Sequence, residues 1–253
     1  MERLELLEHW RQEEQRPFVG WDFSYIRGLI VSEHPPWSYA ERAAAHMEQS
    51  SSVLDMGTGG GERFLGLRTH WPANVTVTEE YPPNLTLVQQ RLGPLAVRVV
   101  DVRLTYVDPM PFEPGEFELV LNRHSAFNPA EVGRVLTQGG TFLTQQVPAS
   151  FAEDLMTEFG AAPQWPESNP HNYVRWLEAA GLRIVDRREW TGELHVHDIG
   201  ALVYYLKAVP WIVPGFSVDS HASTLLRLHS RLESSGSLMF KAGSYLIEAR
   251  KPD

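Results

Sequence analysis

The residues with the most chemical content are Val53-Leu54-Asp55-Met56-Gly57-Thr58-Gly59-Gly60-Gly61-Glu62. An apolar run passes through an acid into glycines, which permit a tight turn and let a ligand approach backbone N–H groups closely. A helix beginning near Gly60 would aim the positive end of its dipole at that ligand. Two patterns are excluded. A dinucleotide fingerprint needs glycine where Glu62 stands and usually an apolar residue where Asp55 stands. No Lys-Ser or Lys-Thr follows the glycines, so the phosphate loop of nucleotide hydrolases is absent too. Two histidine-bearing segments invite chemistry as well. Leu121-Asn122-Arg123-His124-Ser125 carries an imidazole, a group able to exchange a proton at physiological pH. His195-Val196-His197 would put two imidazoles on one strand face; with no further ligand placed by the sequence, it reads as a polar face, and no metal is expected.

The elements that must hold these residues alternate. Apolar runs over 53–56, 75–78, 96–100, 117–121 and 141–144 read as strands. Asn128-Pro129-Ala130-Glu131 opens a helix with a cap, a first-turn proline and an acid facing the dipole. Gly139-Gly140 should stop that helix and turn the chain into the next strand. Helices are also expected over 2–15, from Ser38 to about Gln49, from Asn169 to Ala180, and near 198–208 and 218–234, with strands from Leu182 and over 239–249. Glu2, Glu5, Glu8, Glu13 and Glu14 read as a solvated helix face. Such alternation predicts an α/β fold, doubly wound on a mostly parallel sheet, with functional loops at the carboxyl ends of the strands.

Composition narrows the function further. The 253 residues carry a net charge of −10, which argues against a chain whose main task is holding a phosphate backbone. The absence of cysteine excludes disulfides, thiolate zinc sites and cysteine nucleophiles. No apolar run approaches the ~18 residues of a membrane span, and the N-terminus is too acidic for a signal peptide. A cytoplasmic protein without membrane contact is expected, and the sequons at Asn74 and Asn84 are chance matches.

The glycine segment resembles motif I of the class I S-adenosylmethionine-dependent methyltransferases, apolar-apolar-acid-apolar-G-x-G-x-G. The resemblance extends through residues 50–148 in three further places. Val75 to Leu85 is similar to the family's second strand; with Pro82 as the helix-opening proline, Glu79 takes the place of the ribose-binding acid and Glu80 is its neighbour. Val99-Val100-Asp101-Val102 stands where the family places an acid near the adenine amino group. Met110 to Val120 looks like the family's run into strand four, with Glu118 where aspartate is usual. The resemblance implies a Rossmann-like methyltransferase fold with seven strands. It also implies S-adenosyl-L-methionine as cofactor and S-adenosyl-L-homocysteine as product. Asp55, Gly57, Thr58, Gly59, Gly61, Glu79, Glu80, Asp101, Val102, Asn122 and Arg123 would contact the cofactor. Residues 1–49 would form an N-terminal helical and aromatic cap, and 50–253 the methyltransferase domain, with a helical insert at about 198–235 before the last strand.

The acceptor is expected beside the fourth-strand end. His124 is the candidate base, and the alternative is that Asn122, Arg123 and His124 hold the loop and the cofactor's methionine end. Trp21, Trp37, Tyr39 and Tyr204 are candidate acceptor contacts, with core packing as the competing use of these aromatics. A small-molecule acceptor fits best. An RNA methyltransferase of the same fold is the rival, disfavoured by the charge, the missing cysteine zinc module and Asn122-Arg123-His124-Ser125 in place of an N-P-P-Y motif. A non-catalytic cofactor-binding protein is the other rival, and the sequence leaves the oligomeric state open.

Overall fold

In the computed structural model, which describes residues 3–253, the chain opens with α1 (Arg3–Gln15), β1 (Ile30–Ser32) and α2 (Tyr39–Met47). The alternating core follows: β2 (Ser52–Met56), α3 (Glu62–Leu65), β3 (Asn74–Glu79), α4 (Pro82–Leu92), β4 (Arg98–Asp101), β5 (Phe117–Arg123), α5 (Pro129–Val135) and β6 (Leu136–Gln146). The remainder comprises α6 (Glu153–Glu158), α7 (Pro170–Ala179), β7 (Arg183–Val196), α8 (Ile199–Ala208), α9 (Ala222–Ser235) and β8 (Leu238–Arg250). Glu2, at the start of the first expected helix, lies outside the described residues.

One sheet runs in the order β1-β7-β8-β6-β5-β2-β3-β4. The strands from β4 to β6 are parallel, β8 lies antiparallel between β6 and β7, β7 runs in the direction of the parallel strands, and β1 pairs antiparallel with β7. Seven of these strands follow the expected plan. The eighth, β1, lies in the aromatic N-terminal stretch, and its three residues are too short to show a period.

Alternate residues of the central strands pack on opposite faces, as a doubly covered sheet requires. Leu54, Phe142 and Ile247 join Phe127, Tyr173 and Leu177 on one side. Val53, Leu143 and Leu246 join Met47, Val88 and Leu92 on the other. A third cluster packs Trp10 of α1 with Leu202, Leu206 and Leu228 of the insert and Phe240 of β8. Local chemistry sets the helix starts: the Ser38 hydroxyl accepts from the Glu41 N–H at 3.1 Å and Asn128 Oδ1 from the Ala130 N–H at 3.0 Å.

Two expectations need correction. The helix opened by Asn128 ends at Val135, because Leu136 is extended and pairs with Phe117. Gly139, with φ +72°, sits inside the strand that follows, and its N–H donates to the Lys251 carbonyl at 3.0 Å. Glu13 is not on a solvated face: it is buried, accepts from the Tyr25 hydroxyl at 2.9 Å and pairs with Arg16 at 3.1 Å. Among the described residues, no helix is long and apolar enough to cross a membrane.

Phe142 is fully buried and meets Phe127 edge-on at 4.9 Å. Phe142→Ala should lower the unfolding free energy by about 3–5 kcal/mol in urea denaturation. A loss of less than about 1 kcal/mol would contradict this packing.

Candidate active site

The ends of β2, β3, β4 and β5 lie side by side, with Asp55 opposite Leu121 and Glu79 opposite Asp101. The turn after β2 is anchored from β3: the Gly57 N–H donates to Thr78 Oγ1 and the Thr58 N–H to the Thr78 carbonyl, each at 2.9 Å. Gly57 and Gly59 have φ of +66° and +65°. A Cβ on Gly57 would come 2.5 Å from the Ser125 hydroxyl, and one on Gly59 would come 2.9 Å from the Trp21 indole. Glycine is thus required twice over, by backbone conformation and by close approach. The Gly59 and Gly60 N–H groups make no hydrogen bond among the described residues. The helix expected from Gly60 is a single turn, Glu62–Leu65. So short a helix carries little dipole, and the free turn amides are the stronger anchor for a ligand.

At the end of β3 the buried Glu79 carboxylate is held by its own chain. Its Oε1 accepts from the Glu80 N–H at 2.9 Å and the Tyr81 N–H at 2.8 Å. Glu80 is exposed and lies 3.6 Å from Arg103. Asp101 is exposed on the adjoining strand, and the Val102 N–H ties that strand end to the Glu79 carbonyl at 3.2 Å.

The β5 end is set by a buried network. Asn122 Oδ1 accepts from the Thr144 hydroxyl at 2.9 Å and from the Gln146 amide, while Asn122 Nδ2 donates to the Ser125 carbonyl at 3.2 Å. The chain between is bent sharply, with His124 at φ +55° and its N–H donating to the Gln145 carbonyl at 2.9 Å. A non-glycine residue in this region stores strain that its surroundings must hold, a frequent property of functional sites. Trp37 joins the same strand end, its indole N–H donating to Gln145 Oε1 at 2.9 Å.

Burial shapes the charges. Asp55 is raised to about 7 by desolvation, only partly offset by the nearby Thr58 hydroxyl and by Arg123. Arg123 is lowered to about 10, first by burial and then by the repulsion of Arg63. His124 is held below its ordinary value by desolvation, then by Arg123 and Arg63. Its ring opens onto the cleft although protein surrounds it at depth, so water there moderates the shift; the direction keeps the imidazole neutral at pH 7. The Tyr39 hydroxyl is buried without a well-formed hydrogen bond, close to the Asn122 backbone, and feels both Asp55 and Arg123. The Thr58 hydroxyl is likewise buried without a well-formed bond.

Trp21 reaches Gly59 from the N-terminal segment and meets Trp211 of the insert at 5.7 Å, with Phe18 and Phe23 behind it. Tyr204, by contrast, is buried between Phe18 and Tyr25 and belongs to the packing of α8. His195 and His197 stack at 6.2 Å. Glu33, Glu193 and His195 have potential ligand atoms within 4.8 Å of one another, but Glu33 accepts from the Glu193 N–H and Glu193 pairs with His195. Sequence reasoning missed Arg63, Gln145 and Gln146, whose effects at the site arise through residues distant along the chain.

Residues 54–144 match the methyltransferase-domain family. The match spans the alternating core from β2 to β6. The chain's fold is shared by the YcgJ protein of Bacillus subtilis, which has 17% identity over 85% of this chain and 98% of that one, with a TM-score of 0.59. A geranyl diphosphate methyltransferase, described in complex with GPP and sinefungin, has 16% identity over 84% of this chain and 76% of that one, with a TM-score of 0.51. The [4+2]-cyclase SpnF has 16% identity over 84% and 83% of the two chains, also with a TM-score of 0.51. At these identities the likeness is one of fold. No curated protein matches the chain in sequence.

The raised Asp55 has a consequence for stability. Its favourable contribution is complete below the ordinary carboxylate range and is lost as pH rises toward about 7, where the buried acid must ionise. Asp55→Asn removes that ionisation. In thermal unfolding, the Tm of the variant relative to the ligand-free protein should therefore rise between about pH 5 and about pH 8. A difference that stays constant across this range would contradict the assigned burial.

Proposed function

We propose that this methyltransferase domain transfers a methyl group from S-adenosylmethionine to a small-molecule acceptor held beside the ends of β5 and β6. The observation that carries the reading is the Glu79 carboxylate. One of its oxygens is pinned by two backbone N–H groups at the end of the strand beside the glycine turn. A fixed, buried carboxylate in that place suits the vicinal hydroxyls of a ribose, which donate to it in pairs.

The cofactor fits the remaining residues. The unpaired amides of Gly59 and Gly60 and the orphaned hydroxyls of Thr58 and Tyr39 lie where its methionine end would cross the turn. Asp101 and Val102 flank the adenine, Asp55 faces the cationic end, and Asn122 and Arg123 bound it from β5. When bound, S-adenosylmethionine supplies an electrophilic methyl group on a sulfonium. Everything else falls to the chain. Trp21 and Trp211 cover the turn and exclude water, and the Asn122 network holds the β5 loop so that an acceptor is aligned for in-line attack. His124, kept neutral, accepts a hydrogen bond from the acceptor's O–H or N–H and orients its lone pair; it is a weak store for the proton, which passes to solvent water as the bond to the methyl forms and the methyl–sulfur bond breaks. A small acceptor is supported by the acidic surface and by the structurally similar geranyl diphosphate methyltransferase.

The same fold in a [4+2]-cyclase makes product formation, rather than binding, the deciding readout. Incubation with S-adenosylmethionine and a panel of small nucleophiles, with RNA as a separate arm, should yield S-adenosylhomocysteine with a small acceptor. Glu79→Ala should weaken cofactor affinity about 10- to 100-fold, the loss expected for hydrogen bonds to a charged group. His124→Ala should reduce turnover while leaving that affinity within about threefold. Tight cofactor binding with no product from any acceptor would defeat the catalytic reading.

A further inference from the structure

His195-Val196-His197 lacks a third metal ligand in the sequence, and the fold supplies one. β1 pairs antiparallel with β7, and the register runs on from Ser32 opposite Leu194 to Glu33 beside Glu193. There the Glu33 N–H donates to the Glu193 carbonyl at 3.0 Å, and Glu33 Oε2 accepts from the Glu193 N–H at 2.9 Å. A carboxylate 160 positions away along the chain is thereby laid over the edge of β7. Glu193 and His195 stand two apart on that strand and so share a face, with Glu193 Oε2 3.2 Å from His195 Nε2. His197, next on the same face, stacks on the His195 ring at 6.2 Å, with the two planes 7° apart. One potential ligand atom from each of Glu33, Glu193 and His195 lies within 4.8 Å of the other two.

Two carboxylates held this close repel each other unless a cation joins them. Among the described residues Glu33 pairs with no cation, and Glu193 reaches only the His195 imidazole. Lys241 stands opposite Glu193 on β8 but makes no ion pair, and the neighbours of His195 across the sheet are the apolar Met239 and Val31.

We propose that Glu33, Glu193 and His195 bind one divalent transition-metal ion of the zinc type, which clips the N-terminal segment to β7. Two carboxylates and a neutral imidazole carry two negative charges, which such an ion cancels. One nitrogen and two oxygen donors suit zinc better than calcium or magnesium, which take oxygen ligands. Ligand atoms about 2.0–2.2 Å from a tetrahedral zinc stand roughly 3.3–3.6 Å apart, close to the spacing of Glu193 and His195. Both glutamates are exposed, so small rotations close the rest of the gap and water completes the shell. The chain has no cysteine to compete for the ion. Glu33 lies between Trp21, which sits against Gly59, and Trp37, which is bonded to Gln145. An ion at Glu33 therefore fixes the strap that brings both tryptophans to the strand ends, whatever ligand the glycine turn takes.

The test uses the full chain, freed of metal by a chelator, with Zn²⁺ titrated by calorimetry into the wild type, Glu33→Gln, His195→Ala and His171→Ala. Glutamine keeps an oxygen for the Glu193 N–H, and His171 is an exposed histidine of α7 outside the cluster. The wild type and His171→Ala should bind one Zn²⁺ with a Kd of about 10 μM or below, and the other two variants about 10-fold or more weakly. Mg²⁺ should bind the wild type at least about 100-fold more weakly than Zn²⁺. Zn²⁺ should slow amide hydrogen exchange over residues 30–33 in the wild type alone of the first three proteins. The proposal is overturned if the wild type binds no Zn²⁺, if either ligand variant loses less than that, or if His171→Ala loses as much. Equally tight Mg²⁺, or unchanged exchange over 30–33 with Zn²⁺ bound, overturns it too. Should His195→Ala disturb β7, Glu33→Gln decides alone.

Discussion

The Asn122 carboxamide is the interaction on which the site depends. It is wholly buried at the end of β5 and links three places: Thr144 and Gln146 of β6, and the Ser125 carbonyl beyond the bend. An unpaired amide at that depth would cost about 1–3 kcal/mol, so the partners are strongly constrained to meet. The β5 and β6 ends are therefore locked together, His124 is held in its left-handed conformation, and Ser125 is set against Gly57. The glycine turn in turn hangs on Thr78 of β3, whose next residue is the pinned Glu79. Binding groups from three strands are thus fixed before any ligand arrives, which is the condition for alignment to accelerate a reaction.

The electrostatics follow from the same crowding. Asp55, Arg123, His124 and Tyr39 lie about the same strand ends, and each is moved away from its charged form by desolvation, His124 least firmly because its ring is open to water. Ligand charges are felt strongly in such a place because little water screens them. A zwitterionic, sulfonium-bearing cofactor offers both signs of charge to a wall that presents both. The aromatic pair Trp21 and Trp211 stands beside this wall, with Trp21 against Gly59.

Much of this could be read from the sequence where local chemistry decides it. Gly57, Gly59 and Gly61 all adopt positive φ, as a turn of that composition demands. Asn128, Ser38 and Asn169 cap the helices that they open. Glu79 is enclosed at the strand end, whereas its neighbour Glu80 faces Arg103. What escaped depends on partners far along the chain. The Trp37–Gln145 bond spans 108 positions, and β1 exists because β7 offers it an edge. Glu13 looked solvated until Tyr25 and Arg16 enclosed it, and Val135 ends α5 because Phe117 pairs with the next residue. Arg63 carries no motif at all; its electrostatic influence on Arg123 and His124 appears only in the fold.

The central claim is that the converging strand ends form the seat of S-adenosylmethionine. It is tested most directly by a crystal structure of the protein with S-adenosylhomocysteine. The account predicts the ribose hydroxyls on Glu79, the amino-acid end across Gly57–Gly61, and the sulfur facing the His124 side of the cleft. A nucleoside bound elsewhere, with Glu79 untouched, would contradict it.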